Sequence, residues 1–79
     1  MNFVITGSLE HFKNRKELQE LIERRGGKVT GSVTSKTNYL INNDVTSNSS
    51  KNKKARELGI PILSEEDFLK MIGEEKNAD

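Results

Sequence analysis

Phe3-Val4-Ile5-Thr6-Gly7-Ser8 opens the chain with three apolar residues, two of them β-branched, cut off by a hydroxyl, a glycine and a second hydroxyl. A run this short and this apolar, stopped this abruptly, reads as a buried strand. The next ordered stretch has the other period. Asn14 stands where a helix N-cap belongs, Glu17 follows three residues on in the capping-box position, and Leu18, Leu21 and Ile22 recur at helical spacing. Arg24 and Arg25 fall in the last turn, where the helix dipole favours cations, and Gly26-Gly27 stops the helix. Strand, abrupt stop and amphipathic helix together form the first half of a β-α-β unit.

The rest of the chain repeats that grammar. Lys28-Val29-Thr30 is a brief second strand, residues 31–37 a polar turn, and Asn38-Tyr39-Leu40-Ile41-Asn42 a third strand. Residues 43–50 hold one apolar residue, Val45, and read as a mobile loop. Residues 51–58 form a short helix capped by Ser49 or Ser50 and stopped by Gly59. Ile60-Pro61-Ile62-Leu63 is a fourth strand. Its proline has no N–H for a ladder, so this strand belongs at an edge or starts at Pro61. Ser64 caps a last helix whose first turn is acidic (Glu65, Glu66, Asp67) and whose apolar face is Phe68, Leu69, Met71 and Ile72, up to Gly73. The order β-α-β-β-α-β-α, with short apolar strands, predicts an α/β fold with a parallel sheet covered by helices on both faces. One domain fills residues 1–73, and residues 74–79 are a charged tail.

Composition narrows the chemistry. The 79 residues contain no cysteine and one histidine, His11. Disulfides, thiolate zinc sites and cysteine nucleophiles are excluded, and a histidine-based metal site or a Ser-His-Asp triad has too few parts. No apolar run approaches the roughly 20 residues of a membrane span, and no secretory h-region is visible. Gly27-Lys28 is followed by Val29, which fails the Walker A pattern, and Thr6-Gly7-Ser8-Leu9 has one glycine where the dinucleotide fingerprint needs three. Glu65 and Glu66 read as capping charge, His11 as a solvent-exposed loop residue, and the sequon at Asn48-Ser49-Ser50 as accidental. The net charge of +1 hides an asymmetry. Residues 11–56 carry eleven Lys/Arg against four acids, whereas residues 57–79 carry seven acids against two lysines. A basic body fits an anionic partner.

A site for that anion follows from the fold class. Open parallel sheets bind ligands beyond the carboxyl ends of their strands, where strand order reverses. Thr6 and Gly7 lie at such an end and offer a hydroxyl and a backbone N–H. Ser50-Lys51 opens the second helix, whose N-terminus presents unpaired N–H groups. Arg15 opens the first helix. Residues 48–56 add Lys53, Lys54 and Arg56 with no acid among them.

Val4-Ile5-Thr6-Gly7, the helix ending in Gly26-Gly27-Lys28-Val29, Ser32 to Leu40 and Lys53 to Leu63 together resemble a BRCT domain. The likeness covers residues 2 to about 72 and is greatest to the C-terminal BRCT of bacterial NAD-dependent DNA ligases and to that of the clamp-loader large subunit. The resemblance implies a four-stranded parallel sheet in the order 2-1-3-4, with the first and third helices on one face and the second on the other. It implies a phosphate pocket of Thr6, Gly7 and Lys51, with Arg15 added in members that bind a 5′-phosphorylated DNA end; Ser50, Lys53, Lys54 and Lys36 are weaker candidates. The chain departs from many members in carrying Phe68, not tryptophan, in the third helix. The function implied is a monomeric, non-catalytic module without a cofactor. It would recognise 5′-phosphorylated DNA ends or nicks in DNA replication, repair and the response to DNA damage. Its parent would be a ligase or a related protein of the bacterial cytoplasm and nucleoid. The alternative is a module that docks on a protein partner or on another domain of its parent.

Overall fold

A computed structural model describes residues 1–73; the expected charged tail lies outside the described residues. Seven elements follow in order: β1 (Asn2–Ile5), α1 (Arg15–Arg24), β2 (Lys28–Val29), β3 (Tyr39–Ile41), α2 (Ser50–Leu58), β4 (Ile62–Leu63) and α3 (Glu65–Ile72). The four strands form one sheet in the order β2-β1-β3-β4, and every pair is parallel. Strand order therefore reverses between β1 and β3. Register pairs Phe3 with Tyr39, Val4 with Leu40 and Ile5 with Ile41.

The period-2 alternation of β1 divides the core between the two faces. Phe3 and Ile5 point to one side, where they pack with Leu18, Leu21 and Ile22 of α1, Ile41 of β3 and Phe68 of α3. Val4 points to the other, with Leu40, Val33, Ala55 of α2 and Ile60. Helices α1 and α3 thus share one face and α2 covers the other, as the resemblance implies. Phe68 meets the ring of Phe3 edge-on at 5.5 Å, a favoured aromatic geometry. Leu9 and Phe12 of the β1–α1 loop also pack against this face, a role that no periodicity in the loop announces.

Several boundaries differ from the sequence reading. Thr30 lies outside β2, and Asn38 and Asn42 lie outside β3. Ile60 and Pro61 precede β4, because Ile60 donates its N–H to Ala55 at 2.8 Å and closes α2 while its side chain fills the α2-side core. Pro61 still takes part in the edge, accepting the Leu40 N–H at 3.0 Å. Helix α2 starts at Ser50, with Ser49 as its cap. The loop expected to be mobile is tied down at both ends. Asn52 donates to the carbonyls of Asp44 and Val45, and Arg56 donates to that of Ser47. At Gly27 the constraint is space: a Cβ would meet Ile22 Cγ2 at 2.7 Å and the Phe3 ring at 3.1 Å.

One acidic residue does more than cap. The side chain of Glu65, at the start of α3, is fully buried (0% exposed). Its carboxylate accepts the backbone N–H of Glu10 at 2.6 Å and of His11 at 3.1 Å, and the Asn43 side-chain amide at 2.7 Å. Asn43 returns the bond by accepting the Glu65 N–H at 2.8 Å. The β1–α1 loop, the β3–α2 loop and the N-terminus of α3 are thereby joined at one point beyond the strand ends. Burial acts to raise the Glu65 pKa. The hydrogen bonds from Asn43, Glu10 and His11 and the proximity of His11 outweigh burial and hold the carboxyl below its ordinary 4.5.

Three outcomes follow from this packing. Leu18 is fully buried and Leu21 nearly so; Leu18→Ala and Leu21→Ala each cost about 2–5 kcal/mol, read as a fall in Tm of roughly 8 °C or more in a chain this size. In hydrogen exchange, the amides of Val4, Ile5, Leu40 and Ile41 outlast those of Ile62 and Leu63, since only the latter sit on an edge strand. Because the folded pKa of Glu65 is lowered, its charge stabilises the fold above about pH 4.5, and that contribution is lost as pH falls through the folded value. Urea midpoints of the parent and Glu65→Gln are therefore furthest apart at pH 7 and converge below pH 4.5.

Candidate functional site

Strand β1 delivers Thr6 and Gly7 to the reversal point. The Thr6 N–H is already engaged, donating to Ile41 at 2.9 Å as the last rung of the β1–β3 pair. The hydroxyl of Thr6 and the N–H of Gly7 are what this strand end offers; among the described residues, Gly7 N–H has no protein acceptor. Gly7 adopts φ = 81°, and a Cβ there would lie 2.5 Å from Asn42 Oδ1. Both the left-handed backbone and the close amide require glycine.

The amide that crowds Gly7 belongs to a buried pair. Asn42 Nδ2 donates to Asn52 Oδ1 at 2.9 Å, and Asn42 Oδ1 accepts the Asp44 N–H at 2.9 Å. Asn52 is fully buried and donates onward to the β3–α2 loop. Every capacity used here is matched, which is the condition for keeping two amides in a core of this size. The pair fixes the first turn of α2 against the end of β3 and so sets where Lys51 stands. Ser49 completes that turn, its hydroxyl accepting the Asn52 N–H at 3.3 Å. Sequence reasoning missed both asparagines. The spacing from Ser49 to Asn52 suggests a cap, but nothing in a lysine-rich helix marks Asn52 as its most buried polar residue.

On the β2 side of Thr6 lies a cleft of about 260 Å³. Thr6, Arg15 and Lys51 line it together with Ile5, Gln19, Val29, Thr30 and Gly31. Three residues from three separated elements thus meet at one place. Arg15 is held at the first position of α1 by Asn14, whose Oδ1 accepts the Glu17 N–H at 3.0 Å. Arg15 is exposed and Lys51 half-buried. Neither makes an ion pair among the described residues, so two full positive charges converge on the cleft with the Thr6 hydroxyl. Helix α2 has no acid in its first turn to offset its own dipole or Lys51. On the other side of Thr6 a broader cleft of about 550 Å³ is lined by Gly7, Ser8, Glu10, Asn43, Asp44 and Ser49. It contains acids and no cation, so the charge changes sign across Thr6.

The remaining candidates lie elsewhere. Ser50, Lys53 and Lys54 are exposed on α2 and line neither cleft, and Lys36 is exposed on the β2–β3 loop. His11 is exposed as expected, its Nε2 3.9 Å from a Glu66 carboxylate oxygen. Glu66 is an exposed first-turn acid, as the sequence suggests, whereas Glu65 is the buried tie described above. Among the described residues no three His, Cys, Asp or Glu gather in a way that could hold a metal ion, and no helix is long and apolar enough to cross a membrane.

Known proteins match this sequence over nearly its whole length. The chain is 69% identical over 74 residues to a DNA ligase of Lachnoclostridium phytofermentans, covering 94% of this chain and 11% of the ligase. It is 69% identical over 72 residues to a DNA ligase of Ruminiclostridium cellulolyticum, covering 91% and 11%. It is 45% identical over 78 residues to Replication factor C subunit 1 of Oryza sativa, covering 99% of the chain and 7% of that protein. The chain therefore spans about a tenth of the length of these relatives or less. The profile described as "BRCA1 C Terminus (BRCT) domain" matches residues 1–72. With the parallel 2-1-3-4 sheet and its three helices in place, the chain belongs to the BRCT family.

Proposed function

We infer that this BRCT domain is a non-catalytic DNA-binding module that recognises the 5′-phosphate of a duplex end or nick, within a DNA ligase or a related replication or repair protein. The observation that carries the reading is the convergence of Arg15, Lys51 and the Thr6 hydroxyl on one cleft beyond the carboxyl end of β1. A terminal phosphate is a dianion with three free oxygens, and a hydroxyl, a guanidinium and an ammonium are the donors it requires. Gly7, next to Thr6 but lining the acid-lined cleft, would add its N–H only for a phosphate oxygen that reaches across Thr6. The acid-lined cleft beyond Thr6 disfavours further phosphates on that side, so the duplex backbone leaves across the β2 side and α2, where Lys53 and Lys54 follow. Those two lysines contribute sequence-independent backbone attraction, not end recognition.

The parent's chemistry is a further part of the proposal: the relatives named DNA ligase supply the context in which an end-binding module holds a substrate for a catalytic domain elsewhere. In this reading the domain binds and positions the end and carries out no reaction of its own. Docking on a partner protein is the alternative outcome of the test below, through the exposed acids Glu66 and Asp67 of α3.

Lysine at the second position of a helix opposes the dipole, so Lys51→Ala leaves the fold intact or slightly more stable. The same substitution weakens binding to a 5′-phosphorylated duplex and lowers the salt slope by about one. Lys70→Ala, in α3, does neither. Fluorescence anisotropy at two salt concentrations, with phosphorylated and unphosphorylated duplexes, checks both statements. Equal binding of the two variants, or an affinity indifferent to the 5′-phosphate, overturns the phosphate site and leaves protein docking as the function.

A further inference from the structure

Helix α2 carries Lys51 to the basic cleft, yet the first turn of that helix lies mostly in solvent. Of residues 50–54 only Asn52 is buried; Ser50, Lys53 and Lys54 are exposed and Lys51 is half-buried. The apolar anchor of the helix, Ala55, packs with Val4 and Leu40 and lies one turn further on. The phosphate end of α2 is therefore held by the hydrogen bonds of Asn52. Its Oδ1 accepts Asn42 Nδ2 at 2.9 Å, and its own amide donates to the carbonyls of Asp44 at 3.2 Å and Val45 at 3.3 Å. Asn42 in turn follows Ile41, whose carbonyl accepts the Thr6 N–H at 2.9 Å. Two hydrogen bonds and two peptide links thus run from Thr6 through Ile41, Asn42 and Asn52 to Lys51. Asn52 lines neither cleft, and Asn42 lines only the acidic one.

We propose that Asn42 and Asn52 are positioning residues for 5′-phosphate recognition: the buried amide pair sets where the Lys51 ammonium stands relative to the Thr6 hydroxyl, and neither amide touches the ligand. This rests on the phosphate reading above and adds residues that act through Lys51. A phosphate shared between a strand hydroxyl and a helix ammonium needs both donors within hydrogen-bond reach at once, and the bond weakens steeply when one of them is displaced. Lysine is a point charge on a flexible stem, so the fold must fix the helix start from which it reaches. An apolar contact such as that of Ala55 permits small rotations and slides. A matched amide pair does not, because losing either member leaves the other buried without its partner. Lys53 and Lys54, on the exposed side of the same helix, attract backbone phosphates at longer range through solvent and do not require that distance. The pair therefore governs recognition of the end and leaves general attraction for DNA unchanged.

A double-mutant cycle tests this, read as the phosphate preference, the ratio of affinities for one duplex with and without its 5′-phosphate. Asn52→Ala, which keeps a good helix former in α2, lowers that ratio about threefold or more and leaves affinity for the unphosphorylated duplex as it was. Asn42→Ala reproduces the effect from the strand side. Lys51→Ala lowers the ratio as well, and adding Asn52→Ala to it lowers the ratio no further, because the pair acts through Lys51. Three results overturn the proposal while the phosphate site stands: a preference untouched by either asparagine variant, an equal loss of affinity for both duplexes, or an undiminished effect of Asn52→Ala in the Lys51→Ala background. Equal binding of the two duplexes by the parent is seen before any variant is made, and it overturns the phosphate reading and the proposal together. Where an asparagine variant does not fold, the parent alone carries the test. Its Asn42 and Asn52 side-chain amide resonances shift in NMR spectra on addition of phosphorylated duplex and stay in place with the unphosphorylated one. Amides that answer both duplexes alike, or neither, overturn the positioning role.

Discussion

The carboxylate of Glu65 is buried with no lysine or arginine paired to it among the described residues, and the arrangement of the loops depends on it. Taking a carboxylate out of water is costly unless hydrogen bonds replace the lost solvation. Here the replacements come from two loops: the Glu10 and His11 N–H groups of the β1–α1 loop and the Asn43 amide of the β3–α2 loop. Each donor lies beyond the carboxyl end of a strand, and each belongs to a loop that would otherwise have few reasons to hold one course. The charge thus converts a desolvation penalty into a positional constraint. Its folded pKa is held below the ordinary value, so the constraint is in force throughout the neutral range.

Asn42 and Asn52 repeat the device on the opposite face of the sheet with neutral groups. Together with Glu65 they fix the β3–α2 loop from both sides: Asn43 turns to Glu65 and Asn42 to Asn52. The small core explains why polar groups carry this work. Twelve hydrophobic residues are buried among the described residues, split across two faces of a sheet whose edge strands have two residues each. Such a core secures the helices but reaches little of the strand-end loops, and hydrogen bonds with directional requirements supply the definition that packing does not.

The candidate site inherits its geometry from these ties. Thr6 is placed by the last rung of the β1–β3 pair, Arg15 by the capped start of α1, and Lys51 by the Asn42–Asn52 pair beneath the first turn of α2. None of the three is fixed by contact with another. They converge because a parallel sheet with a reversal in strand order brings one strand end and two helix starts to the same edge of the molecule. The change of sign across Thr6, with cations toward β2 and carboxylates toward the β3–α2 loop, gives that edge a direction.

The sequence by itself determined the elements and their order, because each carries local instructions: the period-2 and period-3.6 apolar runs, the caps at Asn14 and Ser64, the stops at Gly26 and Gly59. It also contained the family pattern, and with it the strand order and the candidates Thr6, Gly7, Arg15 and Lys51, of which Gly7 lines the other cleft. Local chemistry could not reveal what a residue does for a distant one. Glu65 and Glu66 are the same residue type in the same helical turn, and only the approach of the β1–α1 loop makes one a buried tie and leaves the other in solvent. Asn52 sits between lysines and reads as surface until β3 supplies Asn42 as its partner. Ser50, Lys53 and Lys54 have the right charge or hydroxyl at nearly the right place, yet the rotation of α2 turns them out of the cleft while Lys51 turns in. Burial, partner choice and helix rotation are set by contacts between segments far apart in the chain, so they were decided only when those segments packed.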